Sequence, residues 1–409
     1  MVGESRWLGP RRIPPLLFMT SNHTNRTARC DSGRWLPKTL GSDPAYYPRR
    51  NRAVTSENSP RRHVSETVSD PEEWNGRTNV PIGADEAFNG YIAANVVFAL
   101  DGLGILDELD ANGSLRVSEF VQRGALDGQL IHALLTAAET VGYITTREDL
   151  ATLTDAGKEA ALMRSFFTWS VGGYGDVFSS ISSLVKGESH YGADITRDES
   201  MVALGSGQSG TFLMSSIFED ALQDVDFHTI ADLGSGTANR LCRVVKENDG
   251  SRGIAIDISL PATQIAQRNI HEQGLGTRVQ AIRADVLDVV MRREHESKLA
   301  DVDTVMSFFL LHDLLVDPTT RASVLPRMRE AFPAAKTFLL ADTVIRPTHA
   351  NQSTLPIFSA GYELAHALMG VPLYTRQAYE RLFDNAGLRI RRVVPFGVAH
   401  TWLYTLDCD

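Results

Sequence analysis

Cysteine is scarce: Cys30, Cys242 and Cys408 are the only three in 409 residues. They are too few and too scattered for a disulfide framework or a thiolate metal site, which fits a reducing compartment. No apolar run reaches the roughly 18 residues that a membrane-spanning helix needs. The stretch from Pro14 to Met19 is short and flanked by Arg and Pro, unlike a secretory signal. Without such a signal the glycosylation patterns Asn22-His-Thr and Asn25-Arg-Thr carry little weight, and a cytoplasmic location with no membrane partner is expected. Basic charge is scarce too, outside the first 63 residues. Those hold 12 Lys and Arg against 4 Asp and Glu, leaving 28 against 46 for the rest of a chain whose net charge is −10. A nucleic-acid enzyme normally carries a basic working surface. The balance points away from nucleic acid and toward a small-molecule substrate.

Hydrophobic residues make up 43% of the chain and charged residues 22%, the mixture of a soluble globular protein long enough for two domains. Residues 1–80 are rich in Arg, Pro, Ser and Asn and lack helical or strand periodicity. Such a composition cannot offset its own chain entropy, so the segment reads as a disordered basic tail. Order is expected from about Asp85. Tyr91 to Leu100 has helical apolar spacing, ended by Gly102 and Gly104. Val117 to Val121 reads as a short helix and Gln129 to Val141 as a longer one, with an apolar stripe of Ile131, Leu134, Leu135 and Ala138. Tyr143 to Thr146 and Leu150 to Thr154 read as two short strands. Three helices and a hairpin over 85–158 make a winged-helix plan. Its candidate recognition stretch, Asp127 to Val141, has no Lys or Arg, whereas phosphate contacts supply most of the affinity when such a plan binds DNA. Dimerisation is the expected role. Residues 159–225 read as a helical linker that carries part of a substrate site. Over 226–409, β-rich runs alternate with helical segments, the pattern of a doubly wound α/β domain.

Ile230-Ala-Asp-Leu-Gly-Ser-Gly-Thr-Ala reads as a buried strand that runs into a glycine turn and then a helix, Asn239 to Lys246. Gly234 and Gly236 permit backbone conformations and close approaches that a Cβ blocks. Ligands of open α/β sheets sit at this end of the strands. The next strand ends in Asp257, where a carboxylate can accept both ribose hydroxyls. A third leads to Asp285, where an acid can receive an adenine amino group. The fourth is Asp303 to Phe309. The dehydrogenase pattern G-x-G-x-x-G is incomplete, because Arg240 and Leu241 occupy the region of its third glycine. Taken singly, Asp257 and Asp285 also read as ordinary strand-end acids.

In that order these residues make 229–345 resemble the class I methyltransferases, with Asp232-Leu-Gly-Ser-Gly-Thr as first motif and Asp257 and Asp285 as second and third. With the winged-helix part, about 85–400 resembles the dimeric O-methyltransferase superfamily of plant and microbial secondary metabolism. Its fourth motif matches Phe309-Leu-Leu-His-Asp-Leu-Leu. The resemblance implies a C-terminal Rossmann-like methyltransferase sheet behind an N-terminal helical winged-helix domain, and a homodimer. It also implies S-adenosyl-L-methionine held by Asp232, Gly234, Gly236, Asp257, Asp285 and Ser307.

Two acceptor chemistries remain open. In the O-methyltransferases the residue matching His312 is a general base, and an imidazole suits removal of a phenolic proton. However, the charged stretch those enzymes carry before their last helix is replaced here by Gly370-Val-Pro-Leu-Tyr-Thr375. In addition, Gly361-Tyr-Glu-Leu-Ala-His366-Ala-Leu-Met-Gly370 sets a histidine in an otherwise apolar helix. Alone, His366 reads as a core residue. Paired with His312 and Asp313 it resembles the metal-dependent 2-oxo acid C-methyltransferases, such as those for phenylpyruvate and 2-ketoarginine. That resemblance implies an Fe or Zn ion on His312 and His366, and Trp169 and Arg197 at the substrate, with methylation at C3 of a 2-oxo acid. Trp169 also reads as core and Arg197 as a solvated cation, while Phe308 and Phe309 read as pocket or core. Glu363 and Asp176 are candidate partners for a guanidinium substrate. A non-catalytic cofactor-binding regulator is the third reading.

Overall fold

The computed structural model describes residues 82–346 and 356–408. The tail expected over 1–80, with Cys30 and both glycosylation patterns, lies outside them. The N-terminal part holds helices Ala84–Gly102, Ile105–Asn112, Val117–Gly124 and Gly128–Thr140, with strands β1 Leu115–Arg116, β2 Ile144–Arg147 and β3 Leu150–Leu153. The three strands pair antiparallel in the order β1-β3-β2. Leu100, Ile105, Leu135 and Ile144 are among the side chains that fill a core between strands and helices. Helix Ile105–Asn112 and β1 are absent from the sequence reading. Eight residues between two left-handed glycines, Gly104 and Gly113, are too few to show a period.

A seven-stranded sheet forms the C-terminal part: β4 Thr229–Leu233, β5 Arg252–Asp257, β6 Val279–Arg283, β7 Thr304–Phe308, β8 Thr337–Thr343, β9 Leu388–Pro395 and β10 Thr401–Cys408. Its order is β6-β5-β4-β7-β8-β10-β9, with β10 antiparallel to both neighbours. Every residue of β4, β7 and β8 is buried, as parallel strands covered on both faces must be. One face packs Ala231, Leu233 and Val305 against helices Val286–Arg292 and Arg321–Ala331. The other packs Ile230 and Met306 against helices Ser215–Leu222, Asn239–Glu247 and Leu260–Glu272. This is a Rossmann-like doubly wound sheet behind a helical N-terminal domain. Strand order reverses between β4 and β7, so a ligand crevice opens at their carboxyl ends.

Residues 159–225 are mainly helical. Within them buried Arg164 bonds Asp101, Asp107 and Asp110, and Asp101 also accepts from Gln208 on helix Glu199–Phe212. The N-terminal helices are thereby tied to the helix that walls the site. Among the described residues no helix is long and apolar enough to cross a membrane.

Candidate active site

At the end of β4 the chain turns through Gly234 and Gly236, both left-handed at φ +71° and +54°. A Cβ on Gly234 would also come within 3.1 Å of Leu310. Asp257, at the end of β5, accepts from Gly236 N and Ser259 N at 2.8 Å each, so its carboxylate holds the glycine turn against β5. Asp285 caps helix Val286–Arg292 by accepting from Leu287 N at 2.8 Å. Ser307 donates to the Leu233 carbonyl at 3.1 Å and joins β7 to β4. Asp232 is 2% exposed. Burial drives its carboxyl up to about 7, partly opposed by the Arg240 charge.

The second cluster is built where β7 ends. Phe309 takes a left-handed backbone (φ +57°), and the short helix Leu311–Leu314 follows. Asp342, at the end of neighbouring β8, accepts from His312 N at 2.9 Å, from His312 Nδ1 at 2.9 Å and from the Tyr379 hydroxyl at 3.2 Å. The Tyr362 hydroxyl lies 3.2 Å from His312 Nδ1. Helix Ser359–Met369 brings in His366, whose Nδ1 donates to the Tyr362 carbonyl at 2.7 Å. Both imidazoles are buried, and their Nε2 atoms meet at 3.2 Å. Burial disfavours charge on His312, but the Asp342 carboxylate and its hydrogen bond outweigh it and hold the pKa above the ordinary value. Burial and the adjacent His312 push His366 down to about 3, so it is a neutral acceptor at Nε2. Asp313 Oδ2 stays 3.8 Å from His312 Nε2 and 4.0 Å from Arg197 Nη2. Among the described residues, no group of three or more His, Cys, Asp or Glu side chains could hold a metal ion.

A cavity of about 100 Å³ brings five of the sequence-predicted residues together: Trp169, Arg197, His312, Asp313 and His366. Its walls are aromatic, including Phe166, Tyr174, Phe309, Phe358 and Tyr362. Trp169 lies on the π-helical turn Thr168–Gly173, with its ring 4.2 Å from that of Tyr174. Arg197 Nη1 donates to the Tyr174 hydroxyl at 3.0 Å. Phe358, like Phe309, is a bulky residue in a left-handed backbone (φ +80°), and both face the cavity. Such strain persists where surrounding structure enforces it. Phe308 packs in the core against Phe218 and Phe396. Glu363 is paired twice over with Arg346, Asp176 is exposed, and neither lines the cavity. The predicted cofactor residues lie apart from this cavity, at the ends of β4 to β7. Asp342, Tyr174, Phe358 and Tyr362 are missing from the sequence reading. The one available signal was the acid that ends the apolar run Phe338 to Ala341.

No family profile matches the chain. A methyltransferase of Aspergillus campestris, UngE′, is 29% identical over 313 residues, 74% of this chain and 90% of that protein. An indolepyruvate C-methyltransferase of Streptomyces griseus is 29% identical over 325 residues, 78% of this chain and 93% of that protein. Among solved structures, the mitomycin 7-O-methyltransferase MmcR matches with a TM-score of 0.56 and 16% identity, covering 80% of this chain and 96% of that one. At that identity the structural likeness concerns the fold.

Proposed function

We propose that this chain, which its relatives and fold support as an S-adenosylmethionine-dependent methyltransferase, places the methyl group on C3 of a 2-oxo acid. The observation that carries the acceptor class is the contact of His312 and His366 through Nε2 at 3.2 Å. A His312 that served as general base toward a phenol would need its Nε2 lone pair free to face the substrate. Here that atom faces a second imidazole, and Nδ1 is held by Asp342. The similarity to an indolepyruvate C-methyltransferase supports the same reading.

Carbon attacks a methyl sulfonium only after C3 has lost a proton and the 2-oxo acid has become an enolate. The new C–C bond then forms as the S–CH3 bond breaks, with its electron pair left on sulfur. The pair fits a divalent ion in its donor chemistry: each Nδ1 is engaged by a carboxylate or a carbonyl, which orients Nε2 as the ligand atom. When bound there, an Fe or Zn ion would supply Lewis-acid stabilisation of the enolate charge. Arg197 offers a planar fork to the substrate carboxylate, and its bond to Tyr174 holds that fork at the cavity wall. The aromatic walls suit an aryl or apolar side chain on the acceptor. Among the described residues Asp313 is the one carboxylate lining the cavity, so a guanidinium acceptor is poorly served.

The cofactor part of the reading assigns the sulfonium nucleotide to Gly234, Gly236, Asp257 and Asp285, with Asp232 and Ser307 beside them. The dimer is part of the same proposal: Phe88, Tyr91 and Leu130 expose 68%, 68% and 69% of their surface on the N-terminal helices, apolar area that a second copy would cover. An assay with isotope-labelled S-adenosylmethionine against a panel of 2-oxo acids and phenols tests the acceptor class. Label transferred to aryl 2-oxo acids supports it; label transferred only to phenols returns His312 to the role of base in O-methylation.

A further inference from the structure

Ser165 sits on the short helix Arg164–Phe167, one turn before Trp169, and both residues line the aromatic cavity. It is 2% exposed. Of the fully buried polar side-chain atoms in the cavity wall, its hydroxyl is the one with no hydrogen-bond partner among the described residues. The local sequence explains why. A helical serine often donates to the carbonyl four residues earlier. Here that carbonyl, of Ala161, already accepts from Arg164 Nε at 2.6 Å. The guanidinium cannot turn aside, because Asp101, Asp107 and Asp110 hold its other nitrogens. Elsewhere in the wall the polar groups are engaged: Arg197 with Tyr174, and His312 with Asp342 and His366. Around Ser165 the wall is made of rings, with Phe166 and Phe358 at 5.1 Å and Trp169 and Phe358 at 4.9 Å. From the facing helix Glu199–Phe212, a Cβ on Gly205 would stand 3.0 Å from the Ser165 carbonyl oxygen, so that helix closes tightly over this wall. A lone hydroxyl in such surroundings is costly unless a ligand group completes it. It is also uncharged, which suits a neutral partner better than an ion.

We propose that Ser165 determines acceptor specificity: its hydroxyl oxygen accepts a hydrogen bond from a neutral N–H or O–H carried on the acceptor's aromatic ring. This rests on the reading of the acceptor as a 2-oxo acid and narrows it to aryl 2-oxo acids with a donor on the ring. The division of labour follows from the chemistry of the wall. Arg197 takes the carboxylate, the aromatic side chains take the ring faces, and Ser165 matches the one polar atom of the ring. A plain phenyl ring enters the same box but leaves the buried hydroxyl unmatched, and that difference is the source of discrimination.

Steady-state kinetics on two matched pairs of acceptors tests it. Indolepyruvate carries a ring N–H, and its benzothiophene analogue replaces that group with sulfur at nearly the same shape. Para-hydroxyphenylpyruvate carries a ring O–H, and phenylpyruvate lacks it. In at least one pair the wild-type chain should favour the donor-bearing member by about tenfold or more in kcat/KM, chiefly through KM. The pair that shows the preference tells N–H recognition from O–H recognition. Ser165→Ala should bring that ratio to within about twofold of one. A wild-type ratio near one in both pairs, or a preference that persists in folded Ser165→Ala, overturns the assignment. If Ser165→Ala does not fold, the wild-type ratios decide: a preference of about tenfold supports the assignment, and ratios near one overturn it. Transfer to none of the four acceptors by folded wild-type protein overturns the 2-oxo acid reading itself, a result distinct from the others.

Discussion

The Nε2 atoms of His312 and His366 stand 3.2 Å apart, although 54 residues separate them in the chain. Asp342 holds the far nitrogen of the first ring and the Tyr362 carbonyl that of the second. Two imidazoles locked in this way turn two lone pairs toward one point. Only a shared proton or a cation resolves that arrangement, because two bare lone pairs repel.

His366→Ala removes one of the two ligand atoms. Activity on 2-oxo acids should fall by roughly 100-fold, together with the metal content of the purified protein measured by plasma mass spectrometry. Full activity with no change in metal content would leave the second imidazole a core residue.

Asp342→Asn keeps the shape beside His312 but removes the charge that fixes the ring. A roughly 10- to 100-fold loss of metal affinity is expected, with the cofactor affinity unchanged. The pH profile of the variant should move as well. Asp342 raises the His312 pKa, so its removal shifts the limb governed by His312 to lower pH.

Asp232 offers a pH test without a substrate. Its carboxyl is raised to about 7 in the folded chain from an ordinary value of 3.8. The folded state therefore binds the proton more tightly than the unfolded one. The resulting stabilisation is complete below about pH 4 and is lost as pH rises toward and through 7, by about 4 kcal/mol in total. Thermal melts of the ligand-free protein against Asp232→Asn should show a difference that grows between pH 4 and 7. A flat difference would mean that the buried acid stays ionised.

Trp169→Leu should raise KM for aryl 2-oxo acids about tenfold and leave small aliphatic ones nearly unaffected, because the indole is stacked against Tyr174 at the cavity wall. Glu363→Gln should leave acceptor preference unchanged, since Arg346 already occupies that carboxylate.

Much of the candidate site's local geometry was legible in the sequence because it is written locally. Gly234 and Gly236 announce a turn that only glycine makes easily, and Asp257 and Asp285 follow at successive strand ends. His366 became legible only as the partner of a distant histidine, through family resemblance. Asp342 did not, because an acid ending an apolar strand looks alike whether it caps a helix, meets solvent or orients an imidazole. Its role comes from β8 lying beside β7, which is tertiary information. The split of Phe308 from Phe309 depends on one left-handed residue, and no periodicity predicts that. Helix Ile105–Asn112 was hidden by its shortness.

The site of methylation is tested most directly by carbon NMR of the product made from S-adenosylmethionine labelled in its methyl group, with an aryl 2-oxo acid as acceptor. The account predicts a methyl carbon coupled to C3 of the product, and loss of that signal in His366→Ala. A methyl carbon bonded to oxygen, formed equally well without His366, would contradict it.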